Sequence, residues 1–546
     1  MHKSWKALPA VLAWGLLLYQ VAVFWLVPNF STQDGPSHVY GATVFWDLLL
    51  HHSHSPYSPL YTVQRYPLPN WTGTIILAFI RTVAGAWNSE RVFATLAFLI
   101  GFVAWCRAKG ALDPGQTPWS PVANFLYETW FLWLGFFDFY LGLALLPLAI
   151  AVYAQKEGWL DRRRTAALAI TLLGIYFTHV IAGAAALVIV LTLGFWIHVA
   201  VPAVRRDRPG WSQLGLLLLA AAPAIVLMVL FAAGADTHPA FEPQIAWAWQ
   251  SFPMHIFLTA GHQQMQPLLW KALLVYAALG ALLLRKREWA SAKGGLVLAA
   301  LLLFAVYLLV PDKGLGGSEA KIRFAWTVFI PAGLVAASAS RLGWLRVPAA
   351  IFFAWFVCAN TIATQRTAEA VSRAATDYLA VAGHIVPGSS LARLRYPAGQ
   401  LPAAYGYGVI GRDPLFHLDA LVAADRHSLD LSDYEALSTV FPVVYKSYID
   451  PGRLLGLWSF EGPGPDAPTT LHWIDEDFPV PIDYVIVVGD AHFPEAVRMG
   501  MPKTLDYLNG AMQLVAVSPN QAFRLYERRC ALGGEPADHA GRPCAH

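Results

Sequence analysis

Charge is scarce in this sequence. Only 13% of its 546 residues are Asp, Glu, Lys or Arg, about half the ~25% of an ordinary soluble chain, whereas 56% are hydrophobic. That excludes an ordinary water-soluble globule and points to a membrane protein. Cysteine is rarer still, with four in all. Cys106 and Cys358 fall in apolar runs and read as packing residues. Cys530 and Cys544 bracket a Gly/Pro-rich tail, where a disulfide of an oxidising compartment and two free thiols stand as equal readings. Nucleotide motifs are missing too. There is no Walker loop, no dinucleotide fingerprint, no HExxH and no serine-hydrolase elbow, which argues against an ATP-driven pump and the common soluble chemistries. Basic residues lie in short clusters between apolar runs, so nothing marks a nucleic-acid surface.

What is present divides unevenly. Residues 1–364 hold 24 Lys/Arg and 14 Asp/Glu, a net of +10, and residues 365–546 hold 14 and 21, a net of −7. The chain therefore reads as a basic, multi-span membrane domain, 1–364, followed by an acidic water-soluble domain, 365–546. Lys3 and Lys6 precede an apolar run from about Leu8 to Val27 with no small-x-small cleavage site after it, so a retained signal-anchor is expected.

Apolar runs fall at roughly 8–27, 70–87, 91–107, 119–136, 138–155, 165–178, 180–200, 213–233, 267–284, 294–311, 323–340 and 346–364. They are too long for strands and read as transmembrane helices. Basic clusters at Lys3/Lys6, Arg107/Lys109, Arg162–Arg164, Arg205/Arg206/Arg208, Arg285–Arg287 and Arg341/Arg346 mark the cytoplasmic side. One stretch conflicts: two runs separate the first polar loop from Arg107, where an odd number of crossings is needed. The expectation is 11–13 spans. Loops 28–69, 234–266 and 312–322 then share the outer face, the second carrying Asp236, His238, Glu242 and His262. In the C-terminal part, "DYVIVVGD" (Asp483–Asp490) reads as a buried strand, "MQLVAVSPNQAFRLYERR" (Met512–Arg529) as two strands joined by a turn, and "HLDALVAADRH" (His417–His427) as a helix. The predicted fold class is an α-helical polytopic membrane protein with a C-terminal extracytoplasmic α/β domain.

Two stretches carry unusual polar residues. "STQDGPSHVYGA" (Ser31–Ala42) leaves the first apolar run with Asp34 and His38 four apart, and Pro36 suits the start of a helix. Asp34 reads either as an ordinary helix cap or as a partly desolvated general base. His38 reads as an orienting partner, a metal or phosphate ligand, or a structural hydrogen-bonder. "PDKGLGGSEAKIRFAW" (Pro311–Trp326) places Lys313, Lys321 and Arg323 on the face where the positive-inside rule does not want them. Phosphate binding is one reason for such cations, and a surface loop with Glu319 paired to a lysine is the other. Arg65 in "QRYPLPNW" is a weaker candidate of the same kind. Asp138 in "FFDFY" and His179 in "FTHV" are ionisable groups in apolar surroundings, functional candidates by default; a helix cap and an interhelical hydrogen bond are their bland readings.

The N-terminal anchor, the acidic outer loop "TQDGPSHVYGA", the many spans and the soluble outer domain together resemble the GT-C superfamily of integral-membrane glycosyltransferases, and the "DGPxH" loop is also similar to that of other bacterial membrane proteins. The resemblance implies an enzyme of the cytoplasmic (inner) membrane that takes a sugar from a polyprenyl-phosphate donor and passes it to a lipid, glycan or protein acceptor outside the cytoplasm. It implies a base or metal-ligand role for Asp34. The sequence departs from the pattern at Gln33, where many members carry a second acid. That leaves the cofactor unassigned, with a divalent metal open, and makes Asp138 a second acid candidate. The site read in this way is Asp34, His38, Asp138 and His179, with Arg65, Lys321 and Arg323 on the donor phosphate. A transporter or flippase of a lipid-linked or anionic substrate and a non-catalytic envelope assembly partner are the competing readings.

Overall fold

The structure, a computed structural model, describes residues 4–116, 119–125, 129–205, 210–234, 248–251, 266–312, 319–396, 405, 413–450, 453–454, 457, 466–491 and 493–529. Most of the loop 234–266, together with Lys313, Cys530 and Cys544, lies outside the described residues.

The apolar runs become helices, because a backbone with no water to bond must satisfy its own N–H and C=O groups. Among the described residues eight helices are long and apolar enough to cross a membrane: Leu8–Trp25, Ala86–Leu112, Phe137–Gly158, Val180–Ala203, Trp211–Gly234, Ala292–Leu309, Ala320–Ser338 and Arg341–Ala382. The chain is a multi-pass membrane protein. The count of 11–13 took in four more runs, and the structure shows why they differ. Arg162–Thr178 and Gln266–Leu282 are helices of 17 residues each, at the lower bound for spanning. Trp71–Ala84 has 14, about 21 Å at 1.5 Å per residue. The run at 119–136 is broken into Val122–Phe125 and Trp130–Leu134.

The chain divides into two compact units. One comprises Met1–Leu26, Tyr66–Gly73 and Phe93–Gln365, the other Val27–Arg65, Thr74–Val92 and Arg366–His546. In the first unit Phe137–Ala154 packs on Arg162–Thr178 and Val180–Phe195, and Ala292–Leu309 packs on Ala320–Ser338. The approach at Gly142 is close enough that a Cβ there would lie 2.6 Å from the Ala182 methyl. The broken segment is fully buried from Trp130 to Leu134. It is tied to the first helix by reciprocal bonds between Gln20 and Asn124, whose amide also reaches the Ala13 carbonyl at 3.0 Å.

The second unit holds the sheets. β1 (Tyr61–Val63) pairs antiparallel with β4 (Val443–Tyr445), so the first polar loop adds a strand to the C-terminal sequence. A five-stranded sheet runs β3-β2-β5-β7-β6, with β2 (Ser390–Arg395), β3 (Leu429–Asp430), β5 (Tyr484–Val488), β6 (Met512–Val517) and β7 (Phe523–Arg528). β2 is parallel to β3 and β5, while β5–β7 and β6–β7 are antiparallel. The expected strand at Asp483–Asp490, the hairpin over Met512–Arg529 and the helix Leu418–Arg426 are all present. β2 and β5 are buried at every position, as strands covered on both faces are. Helix Gly35–His51 packs against Leu418–Arg426.

Candidate active site

Within the second unit the "TQDGPSH" segment is built around Asp34. The residue occupies the N-cap position of helix Gly35–His51, yet its side chain makes no capping bond. Thr32 does that work, with its hydroxyl accepting from the Gly35 N–H at 3.2 Å. Thr32 is held in turn by Glu90, whose Oε2 accepts from the Thr32 N–H at 3.0 Å and from its hydroxyl at 2.7 Å. A Cβ at Gly35 would come 2.2 Å from Glu90 Oε2 and 2.3 Å from Thr32 Oγ1, so a side chain there displaces this bonded pair.

The Asp34 carboxylate is thereby left for other partners. It is 6% exposed. Gln33 donates from Nε2 to Asp34 Oδ1 at 3.0 Å, so the amide that replaces a second acid serves the first one. The Gln33 carbonyl oxygen accepts from the Asp413 N–H at 3.4 Å. His417 Nε2 faces Asp34 Oδ1 at 3.7 Å, and the Tyr434 hydroxyl also bonds Asp34. Tyr434 stacks on the His417 ring at 4.5 Å and 26°. One helical turn on, His38 Nδ1 lies 2.8 Å from Glu435 Oε1. His38 therefore engages Glu435, and its ring packs near Phe441 at 5.6 Å.

Behind His417 stands a buried arginine pair. Arg393 and Arg395 are two apart on β2, which puts them on one face, and both guanidinium groups lie over the Phe416 ring, at 4.5 and 5.2 Å. Arg393 Nη1 contacts His417 Nδ1 at 3.1 Å, Asp419 Oδ1 at 3.2 Å and the Phe416 carbonyl. Arg395 pairs with Asp413. Burial, and then the positive charges of Arg393, Arg395 and His38, hold the His417 pKa well below the ordinary histidine value. Burial pushes Asp419, Asp430 and Asp433 up, helped at Asp430 by the charges of Asp419 and Asp433, and at Asp433 by Glu435.

In the first unit Asp138, 4% exposed, opens helix Phe137–Ala154, where a negative charge suits the dipole. Its Oδ1 accepts from the Gly73 N–H at 2.8 Å. His179 separates two helices, and its Nδ1 accepts from the Ile181 N–H at 3.1 Å. That bond caps helix Val180–Phe195, in place of the interhelical carbonyl bond of the residue's bland reading. The His179 ring meets Phe139 edge-on at 5.2 Å. The Arg323 guanidinium lies 4.4 Å from the Phe136 ring and 5.9 Å from Phe139. Phe139 thus brings His179 and Arg323 together beside the Asp138 turn. Lys321 Nζ donates to the Tyr307 and Leu308 carbonyls, each at 3.2 Å, capping the end of helix Ala292–Leu309. Arg65 is exposed.

Among the described residues no group of three or more His, Cys, Asp or Glu side chains is arranged to hold a metal ion. Around Asp34 the reason is visible: the two nitrogens of His417 face Arg393 and Asp34, and His38 engages Glu435. Among the described residues, the groups around this carboxylate form no such set.

Sequence reasoning missed Glu90, Arg393, His417 and Glu435. Two arginines at alternate positions of the otherwise apolar strand "SLARLR" were a usable signal, since a buried arginine needs partners. His417 and Glu435 carried none.

Neither a protein-family model nor a curated protein matches the sequence. Solved structures do. The arabinofuranosyltransferase AftD from mycobacteria is 15% identical with a TM-score of 0.48; the alignment covers 96% of this chain and 40% of AftD, so the chain spans well under half of that protein's length. ArnT from Cupriavidus metallidurans, solved with undecaprenyl phosphate, is 13% identical with a TM-score of 0.49, over 96% and 98% of the two chains. The oligosaccharyltransferase AglB from Archaeoglobus fulgidus, in complex with an inhibitory peptide and a dolichol-phosphate, is 12% identical with a TM-score of 0.44, over 96% and 74%. At these identities the likenesses assign neither a substrate nor a role to any residue.

Proposed function

We propose that this chain is an integral-membrane glycosyltransferase of GT-C type, moving a sugar from a polyprenyl-phosphate donor to a lipid, glycan or protein acceptor, with Asp34 as general base. The observation that carries the reading is the Asp34 carboxylate. It is all but closed to solvent and relieved of helix capping by Thr32, and it is held by Gln33 and Tyr434. A carboxylate so kept can accept a proton from an acceptor hydroxyl. The hydroxyl oxygen then bonds the anomeric carbon as the bond from that carbon to the phosphate oxygen breaks, and the polyprenyl phosphate leaves with the electron pair. The donor-phosphate role is proposed for Arg323, whose planar guanidinium suits phosphate, together with Lys321 and Arg65.

The proposed setting is the cytoplasmic membrane with the C-terminal part outside. Taking the eight long helices and the two 17-residue helices as crossings, and proposing one more for the run at 119–136, keeps every basic cluster on one side. The non-helical Thr129 ahead of Trp130–Leu134 is buried by protein, the setting in which irregular backbone is tolerated inside a membrane. Trp71–Ala84, too short to cross, removes the surplus run ahead of Arg107.

The test is transfer by the purified full-length protein in lipid nanodiscs, with an undecaprenyl-phosphate-linked sugar carrying a tritium label. Sugar transfer or release of free undecaprenyl phosphate is expected. Asp34→Asn should lower it by about 10²–10⁴-fold with expression and melting behaviour retained. Full activity in that variant ends the base assignment.

A further inference from the structure

We infer that His417 is a positioning residue whose tautomer is fixed by Arg393, so that its Nε2–H is aimed at the Asp34 carboxylate. The assignment of the proton follows from donor chemistry. A guanidinium has only donors, and Arg393 Nη1 stands 3.1 Å from His417 Nδ1. Nδ1 must therefore present its lone pair, and in a neutral ring the proton is on Nε2, the atom that faces Asp34 Oδ1 at 3.7 Å. Such contacts are often long without substrate and tighten in the working complex.

The ring has no freedom to turn away. Tyr434 stacks on one face, and Phe416 meets it edge-on at 4.6 Å. Arg393, 1% exposed, is anchored by Asp419 and by the Phe416 carbonyl. The result is a chain from Asp419 through Arg393 and His417 to Asp34. The charged and titratable groups around the ring come from every side. Arg393 and Arg395 face it from β2 and Asp419 from its own helix; Asp34 and His38 lie on the first-loop side, with Asp413, Tyr434, Asp433 and Glu435 in the flanking segments. The three cations oppose a further positive charge, which keeps the ring neutral.

This inference rests on the reading of Asp34 as base only for its functional meaning, and its primary test needs no turnover. The full chain, labelled with ¹⁵N-histidine in nanodiscs, contains 17 histidines, and the His417→Gln spectrum identifies the missing ring. We expect that ring to be neutral and Nε2-protonated across the range where an ordinary histidine titrates, near about pH 6.5, and its Nε2 resonance to move in Asp34→Asn. An Nδ1-protonated ring, a titration near the ordinary value, or a resonance indifferent to Asp34→Asn overturns the inference, whatever the transfer assay gives.

Turnover supplies the second arm. His417→Phe keeps the stack on Tyr434 and removes both polar contacts, whereas His417→Gln can accept from Arg393 and donate to Asp34. We expect kcat to fall about 10-fold or more in the first, with donor KM unchanged, and to recover in the second. Equal loss in both, or none in His417→Phe while Asp34→Asn is inactive, overturns the positioning role and leaves the base assignment standing. Should His417→Phe fail to fold, the Gln variant and the ¹⁵N spectrum decide.

Discussion

His38 Nδ1 lies 2.8 Å from Glu435 Oε1, with the two side chains 8% and 6% exposed. Asp34, four residues before His38, faces His417 in the same stretch of chain that carries Glu435. Two acid–histidine contacts of opposite sense therefore join the first-loop helix to the 413–435 segment: an acid from the loop meets a histidine from the segment, and a histidine from the loop meets an acid from the segment. Helical spacing places Asp34 and His38 on one face.

The close polar contact of His38 with Glu435 predicts a contrast between two substitutions. Glu435→Ala leaves His38 Nδ1 without this partner in a closed setting, a loss of about 1–3 kcal/mol. Glu435→Gln keeps an acceptor oxygen and should cost less than half as much. Hydrogen exchange of the Gly35–His51 amides, read beside thermal melting, measures both. Equal losses would mean that side-chain volume, not the polar contact, holds the segment.

Arg323 combines charge with a flat contact on Phe136. If it serves the donor phosphate, Arg323→Ala should raise the donor KM about 10–100-fold, the range for a charged hydrogen bond. Arg323→Lys should fall between, since an ammonium retains charge but neither the fork nor the stack. A donor KM that is the same in all three proteins rules the phosphate role out.

Asp433 predicts a pH dependence. Burial and then the Glu435 charge raise its pKa well above the ordinary value. The folded chain thus keeps a proton that the unfolded chain releases above about pH 3.9, and this group's effect lowers stability as pH rises from there toward its raised folded value. Asp433→Asn preserves the oxygen that accepts from the Glu435 N–H at 3.1 Å and removes the titration. The melting temperature of the variant should fall less between about pH 5 and 8 than that of the parent. Parallel curves would refute the assignment.

Much of the local structure was readable in advance. The strand at Tyr484–Val488, the hairpin over Met512–Arg529 and the helix Leu418–Arg426 follow from hydrophobic patterning and turn chemistry within a few residues. Asp34 stood out because an acid, a Gly-Pro pair and a histidine directly after an apolar run are a local anomaly. Lys321 stood out for the same reason, and sequence is silent on the carbonyls within reach of its ammonium.

The sequence by itself determined the membrane class, the helical character of the long apolar runs and the strands of the C-terminal part, since composition and periodicity act over short windows of chain. Only the tertiary structure decided whether an apolar run stayed one helix or broke, as at 119–136, and which groups met Asp34. Thr32 took over the cap, Glu90 held Thr32, and Arg393 set the proton on His417. The last two contacts join residues 58 and 24 positions apart, and hydrogen-bond geometry between such residues exists only once the backbone has brought them within about 3 Å.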